Sequence, residues 1–271
     1  MGRAKEIVVK VIPAKIANEF VKKHHYSGKV AQNSSLHFGC FLDNQLHGVM
    51  SYGSPLDKRK VLGLVEGTGW NEMLELNRMA FDEHLPKYSE SRCISVSFRL
   101  IRKNAPQIKW ILSFSDSTQC GDGAIYRASG FALTSIKKNT QIMKLPNGTL
   151  VARKTLDNKN NSGAINGRYG SSVAREMGAT YIPGFQLRYI FLIDKSCKIT
   201  VPIIPFSKID EMGAGMYRGE KITVAERRQH AGEALLEVRR ATSSEEAFDA
   251  TAPLKKKNGQ HYKSPNVADL A

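Results

Sequence analysis

Short apolar runs of strand length alternate along this chain with stretches of helical period, and that alternation constrains the fold more than any other feature. Ile7-Val8-Val9-Lys10-Val11-Ile12 reads as a strand, and Pro13 then suits the first turn of a helix. Ile16 and Phe20, with Ala17 and Val21 beside them, give that helix one apolar face, and Lys22, Lys23, His24 and His25 favour its C-terminus. Two runs, 36–42 and 45–53, form a hairpin around Asp43-Asn44, and 73–81 is a further strand. A polar loop over 82–91 leads to a helix with Ile94, Phe98 and Ile101 on one side, for which Ser89 or Ser91 is the expected cap. Trp110-Ile111-Leu112-Ser113-Phe114 is a strand that ends at Ser115-Asp116. A short helix from about Gly123 to Ser129 follows, Gly130 stops it, and Phe131-Ala132-Leu133 opens another strand. The order predicts an α/β layer structure with a mixed, twisted sheet flanked by helices.

Beyond residue 137 the regularity weakens. An insertion is expected near 137–184, with an Asn- and Gly-rich loop over 156–169, and then a strand over 185–193. The main domain is thus 1–222, followed by a mixed-charge helix over 223–240 and a disordered basic tail over 241–271 containing Lys255-Lys256-Lys257.

Charge narrows the partners. Forty Lys and Arg stand against 25 Asp and Glu, a formal charge of +15. Such a surface favours a polyanion, though basicity alone does not separate DNA, RNA and acidic lipid. Cys40, Cys93, Cys120 and Cys197 lie far apart with no C-x-x-C pair, which excludes a zinc-finger spacing and fits a reduced cytoplasmic setting. No apolar run approaches the roughly 20 residues that span a bilayer, so no membrane association is expected.

Four segments carry candidate chemistry. His24-His25-Tyr26-Ser27-Gly28 closes the first helix; adjacent helical residues point about 100° apart, so one histidine can face a pocket while the other faces solvent. A helix end with a packed tyrosine is the plain structural alternative. Arg78, after Asn77 in an apolar strand, must leave the sheet, pair with an acid or hold an anion. Asp116 and its neighbours Ser115 and Ser117 sit at a strand's carboxyl end, where open α/β sheets bind ligands. An aspartate there suits a general base, and equally a cap of the next turn. Tyr126, in Ala124-Ile125-Tyr126-Arg127-Ala128-Ser129-Gly130-Phe131, is an aromatic anchor just before a glycine stop.

Tyr126-x-x-x-Gly130-Phe131 after an apolar strand resembles the last conserved part of the GNAT acyltransferase fold, in which the tyrosine often serves as general acid. All four segments, with Leu76-Asn77-Arg78-Met79 and Ser113-Phe114-Ser115-Asp116-Ser117, occur in the order and at spacings similar to the bacteriophage Mom DNA-modification proteins. That resemblance covers roughly residues 5–195. It implies a phage protein acting in the bacterial cytoplasm on double-stranded DNA. The reaction implied is conversion of the N6 amine of adenine to N6-carbamoylmethyladenine, which shields DNA from restriction. His25, Tyr26, Arg78, Asp116 and Tyr126 map as catalytic residues. It also implies iron, for which His25 and Asp116 are ligands of suitable type.

The acyl donor is open between acetyl-CoA and an aminoacyl donor such as glycyl-tRNA. Coenzyme A-using GNAT enzymes carry a glycine-rich loop whose amides cradle the pyrophosphate. Here Lys87-Tyr88-Ser89-Glu90-Ser91-Arg92-Cys93 replaces it, leaving Ser89, Ser91 and Arg92, with Ser117, as candidate cofactor contacts. The competing functions are an acetyl-CoA-dependent N-acetyltransferase on a protein or small molecule, and a non-catalytic DNA-binding phage protein.

Overall fold

The computed structural model describes residues 3–86, 88–157, 170–223 and 225–229. Its first half runs β1 (Val8–Val11), α1 (Ala14–His24), β2 (Ser34–Leu42), β3 (Gln45–Gly53), β4 (Met73–Phe81) and α2 (Ser89–Asn104). Then come β5 (Trp110–Ser117), α3 (Ala124–Ala128), β6 (Ala132–Asn139), β7 (Ile142–Lys144), β8 (Leu150–Ala152), α4 (Arg153–Asp157), α5 (Ser171–Glu176), β9 (Thr180–Tyr181), β10 (Gly184–Leu192) and α6 (Ser207–Glu211). The expected α/β arrangement is present: one seven-stranded mixed sheet, ordered β1-β2-β3-β4-β5-β10-β6, with helices on both faces. The late strand β10 slots antiparallel between β5 and β6.

Alternation along the strands sorts side chains onto two faces. Phe38, Met50, Leu76 and Ile111 join Ile94, Phe98 and Ile101 of α2 and Tyr126 of α3 in one core. Across the sheet, Phe41, Leu46, Val49 and Ala80 meet Ala17, Phe20 and Val21 of α1. On that second face Met73, Trp110, Leu112 and Ile190 pack under Val61, Leu64 and Val65 of the β3–β4 connection.

Two irregularities re-aim side chains. Arg78 pairs with Ser51 and Leu76 with Tyr52, so Asn77 is an extra residue, a β-bulge. The bulge lets Leu76 and Met79, three apart, share the α2 face, and it turns Arg78 with Ala80 toward α1. In β3, Gly48 pairs with Cys40 and Leu46 with Phe41, which leaves His47 as a second bulged residue.

Some local expectations are corrected. Neither Ser89 nor Ser91 caps α2; the cap is Tyr88 in left-handed backbone with φ 70°, and the hydroxyls of both serines donate back to the Pro86 and Tyr88 carbonyls. β5 continues through Asp116 to Ser117 because β10 pairs with it along its length, Gln186 opposite Asp116. The stretch after β6 is not merely a loop: β7 pairs with β8 and β9 in a small second sheet, and Met143, Leu156, Ala174 and Ala179 form its own core. Leu156 and Asp157 thus lie in α4; the Asn-rich run at 158–169 is outside the described residues. Residues 225–229 are helical, and the tail at 241–271 also lies outside. No helix among the described residues is long and apolar enough to cross a membrane.

Candidate active site

The one parallel pair in the main sheet, β4 with β5, is hydrogen-bonded only from Met73–Trp110 to Glu75–Leu112. Beyond that point β4 follows β3 and β5 follows β10, so the two strands part. Only the Ser113 hydroxyl, donating to the Leu76 carbonyl at 3.3 Å, still bridges them. A sheet that opens in this way leaves a cleft whose rim groups come from both faces.

Tyr126 reaches the cleft from the α2 side. Its ring lies 5.3 Å from those of Phe131 and Tyr189, and its phenol is hydrogen-bonded to Ser113. Burial pushes that phenol up to about 12, so it is a proton donor at neutral pH. Asp122 fixes the start of α3: its carboxylate, fully buried, binds Arg127 at 2.9 Å and Arg227 at 2.7 Å, while its carbonyl accepts from Arg127 at 2.8 Å. Gly123 lies between them at φ 81°, where any Cβ would run into the Tyr189 ring.

From the opposite face come Glu75, Arg78 and the end of α1. Arg78 donates to the Lys29 carbonyl at 2.9 Å and the Asn77 carbonyl at 2.7 Å, and has no ion pair among the described residues. Its charge is therefore uncancelled by a carboxylate contact. It ties down the loop after α1, where Nδ1 of His25 accepts the Ser27 amide at 3.2 Å and lies 2.8 Å from the Ser27 hydroxyl. Desolvation, then Arg78, lowers His25 to about 4. The imidazole is neutral at physiological pH, with its proton on Nε2. Tyr26 stacks obliquely on it, ring centroids 4.4 Å apart. Tyr26 is 52% exposed overall. Even so, its phenol is pushed above the ordinary range by desolvation and by Asp116 and Cys120. Asp116, Cys120, Arg78 and Tyr126 all lie close enough to that phenol to act on it.

Asp116 serves two ends. Its Oδ1 accepts the Thr118 amide at 2.9 Å and the Asn139 amide group at 3.4 Å, while Oδ2 accepts from Gln119 at 3.2 Å. That is the turn-capping arrangement the sequence left open, and it coexists with electrostatic contact to Tyr26 and Cys120. Tyr26 feels both Asp116 and Tyr126, and Cys120 acts on Tyr26 and Tyr126, so the four groups are electrostatic neighbours.

Glu75 went unrecognised in the sequence. Desolvation raises its carboxyl to about 7, against the opposing pull of Asn77 and Arg78, and it interacts with Tyr126. The available signal was an acid two residues into an apolar strand, Met73-Leu74-Glu75-Leu76, which deserved the same question as Arg78.

The remaining sequence candidates are engaged elsewhere. Arg92 donates to the carbonyls of Ala4 at 2.8 Å and Lys5 at 3.1 Å, clamping the N-terminal segment. Ser117 donates to the Ala214 carbonyl and is buried. With the Ser89 and Ser91 hydroxyls tied to carbonyls and Glu90 in the first turn of α2, the side chains there do not fit a coenzyme A diphosphate. For iron, His25 and Asp116 offer two ligand types, and no third His, Cys, Asp or Glu gathers with them among the described residues; that pair does not fit a bound ion.

Comparison with known proteins adds the lineage. The chain is 35% identical over 138 residues to "Methylcarbamoylase mom" of Escherichia phage Mu, a match spanning 51% of this chain and 57% of that protein's length. Among solved structures it is similar to an IAA acetyltransferase from Bacillus cereus (11% identity, TM-score 0.38, 69% of this chain and 99% of that one). It is also similar to the ribosomal-protein-S18-alanine N-acetyltransferase of Escherichia coli (9% identity, TM-score 0.38, 69% and 94%). The profile of the Mom protein family matches residues 6–208, most of the chain, and the protein belongs to the Mom protein family.

Proposed function

We propose that this chain is a transferase that converts the N6 amine of adenine in DNA to its carbamoylmethyl form, protecting phage DNA from restriction. The observation that carries the proposal is the gathering of Glu75, Arg78, Tyr26 and Tyr126 at the opening between β4 and β5. Membership in the Mom family supports the choice of reaction.

An adenine inside a duplex cannot reach such a cleft, so the base is flipped out. Tyr26 and the neutral His25 line one wall for the purine. The adenine amine is a weak nucleophile, because its lone pair is delocalised into the ring, and it must lose a proton as it attacks. A carboxylate near pH 7 is matched to that task, and Glu75 is assigned as the base. Asp116, already committed to three donors, orients the amine or the Tyr26 hydroxyl instead. Arg78 stabilises the oxyanion, and Tyr126 returns a proton to the leaving oxygen.

The donor assigned is a glycyl ester, with glycyl-tRNA as the class. The adenine nitrogen attacks the ester carbonyl, the carbon–oxygen bond breaks and the alcohol departs with its proton. The glycyl amine then adds to purine C6 as the original C6–N6 bond breaks, giving the isomeric CH2–CO–NH2 group with no oxidant or reductant. A basic chain of formal charge +15 suits a polyanionic donor as well as DNA. Isotopically labelled glycine should appear in the modified base; unlabelled product would refute the donor. Asp116→Ala and Tyr126→Phe should lower modification about 100-fold or more while DNA binding persists. Full activity in either variant would remove its assigned role.

A further inference from the structure

A second group of reactive side chains lies outside the cleft, at the far end of β4. His47, Asp82 and His84 each present a ligand atom, and these atoms lie within 4.8 Å of one another. Nδ1 of His47 is 2.9 Å from Oδ2 of Asp82, and Nδ1 of His84 is 3.4 Å from Oδ1 of the same carboxylate. The two imidazole rings lie 5.2 Å apart. We propose that His47, Asp82 and His84 form a binding site for a first-row divalent transition ion.

With metal–nitrogen and metal–oxygen bonds of about 2.0–2.1 Å, neighbouring ligand atoms stand roughly 2.9 Å apart in octahedral geometry and roughly 3.4 Å apart in tetrahedral geometry. The two observed contacts run to different oxygens of the one carboxylate, His47 to Oδ2 at 2.9 Å in a hydrogen bond and His84 to Oδ1 at 3.4 Å, so an ion would replace that hydrogen bond and draw in ligand atoms that already lie within 4.8 Å of one another. The donor set also discriminates: two imidazoles and one carboxylate suit zinc, iron or nickel, whereas calcium and magnesium prefer all-oxygen shells.

The backbone positions the ligands before any ion arrives. His47 is the extra residue of the β3 bulge, and a bulge is a means of redirecting one side chain out of the regular pleat. The Asp82 amide donates to the His47 carbonyl at 3.0 Å, holding the two residues side by side, and the His84 amide donates to Oδ1 of Asp82 at 2.9 Å. The side chains of His47 and Asp82 are only 9% and 10% exposed, while that of His84 is 76% exposed. Two ligands are thus fixed in the protein wall and the third closes from solvent, leaving an entry path. A third imidazole, His24 at the last position of α1, interacts with both Asp82 and His84 and stacks on Phe20 at 4.3 Å. An ion here would cross-link β3 to the β4–α2 loop beside the residue that precedes His25.

The test is a zinc titration of the full chain after chelator treatment, read by calorimetry, with cobalt(II) visible absorption as a second readout. One ion per chain is expected. His84→Ala, at an exposed position, and the isosteric Asp82→Asn should each weaken binding tenfold or more and abolish the cobalt ligand-field bands, while His25→Ala leaves both unchanged. The site is refuted if the wild-type chain takes up no stoichiometric ion, or if both ligand variants bind as tightly as wild type. Loss of binding in His25→Ala with retention in Asp82→Asn would place the ion in the cleft and equally overturn the proposal.

Discussion

Replacing Glu75 with glutamine should make the protein more stable, and increasingly so as pH rises. The carboxyl is raised from 4.5 to about 7, chiefly by desolvation. An acid raised in the folded state binds its proton more tightly there than in the unfolded chain. Stability is therefore greatest below pH 4.5 and falls as pH climbs through 7. At about 1.4 kcal/mol per unit, the loss across that window is about 3.5 kcal/mol. Glutamine keeps the shape and the hydrogen bonding to Asn77 but never ionises. Glu75→Gln should thus match wild type near pH 4.5 and exceed it by about 3.5 kcal/mol at pH 8, a urea midpoint shift of about 1.2 M for a slope of about 3 kcal/mol per M. Urea unfolding at pH 5, 6, 7 and 8 reads this directly. A constant offset between the two proteins at every pH would mean that Glu75 ionises normally and is not a poised base. The same variant should lose modification activity, which separates a residue kept for chemistry from one kept for stability.

Other consequences follow from the geometry. Asp122→Asn leaves Arg127 and Arg227 without a counter-charge at a buried site and should cost about 3–5 kcal/mol, lowering the melting midpoint by about 10 °C in thermal denaturation. Because Asp122 anchors α3, modification should fall with it; an unchanged midpoint would contradict the anchoring. A hollow of about 640 Å3 is lined by Lys58, Arg59, Lys60, Trp70 and Lys154, none of them a cleft residue, together with Asp57, which pairs with Lys60 at 3.1 Å and Arg59 at 3.9 Å. If DNA lies there, Arg59→Ala with Lys60→Ala should reduce the slope of log affinity against log salt by about 2. An unchanged slope would move the DNA elsewhere on the surface.

Much of this was readable from periodicity. Ile16/Phe20 and Ile94/Phe98/Ile101 marked α1 and α2, and Asp43-Asn44, both at positive φ, marked the hairpin. The cleft was legible only in its members. Arg78 and Asp116 stood out because polar groups interrupt apolar runs, and Tyr126 because it precedes a glycine stop, but the opening they are proposed to share depends on where β4 and β5 part. No local pattern records that point, because it results from β10 pairing with β5 far along the chain. Bulges were equally hidden: Asn77 and His47 look like ordinary strand residues until the partner strand's register is known. The serines in the first turn of α2 misled for a physical reason, since Tyr88 in left-handed backbone makes the turn and leaves no capping role for them.

The most direct measurement is mass spectrometry of nucleosides from the DNA of bacteria expressing the full chain. A cleft that joins a flipped adenine to a glycyl donor predicts a deoxyadenosine heavier by one glycyl unit, present with the wild-type protein and lost in Tyr126→Phe. Deoxyadenosine found only in its unmodified form, in cells where the protein is folded and bound to DNA, would contradict it.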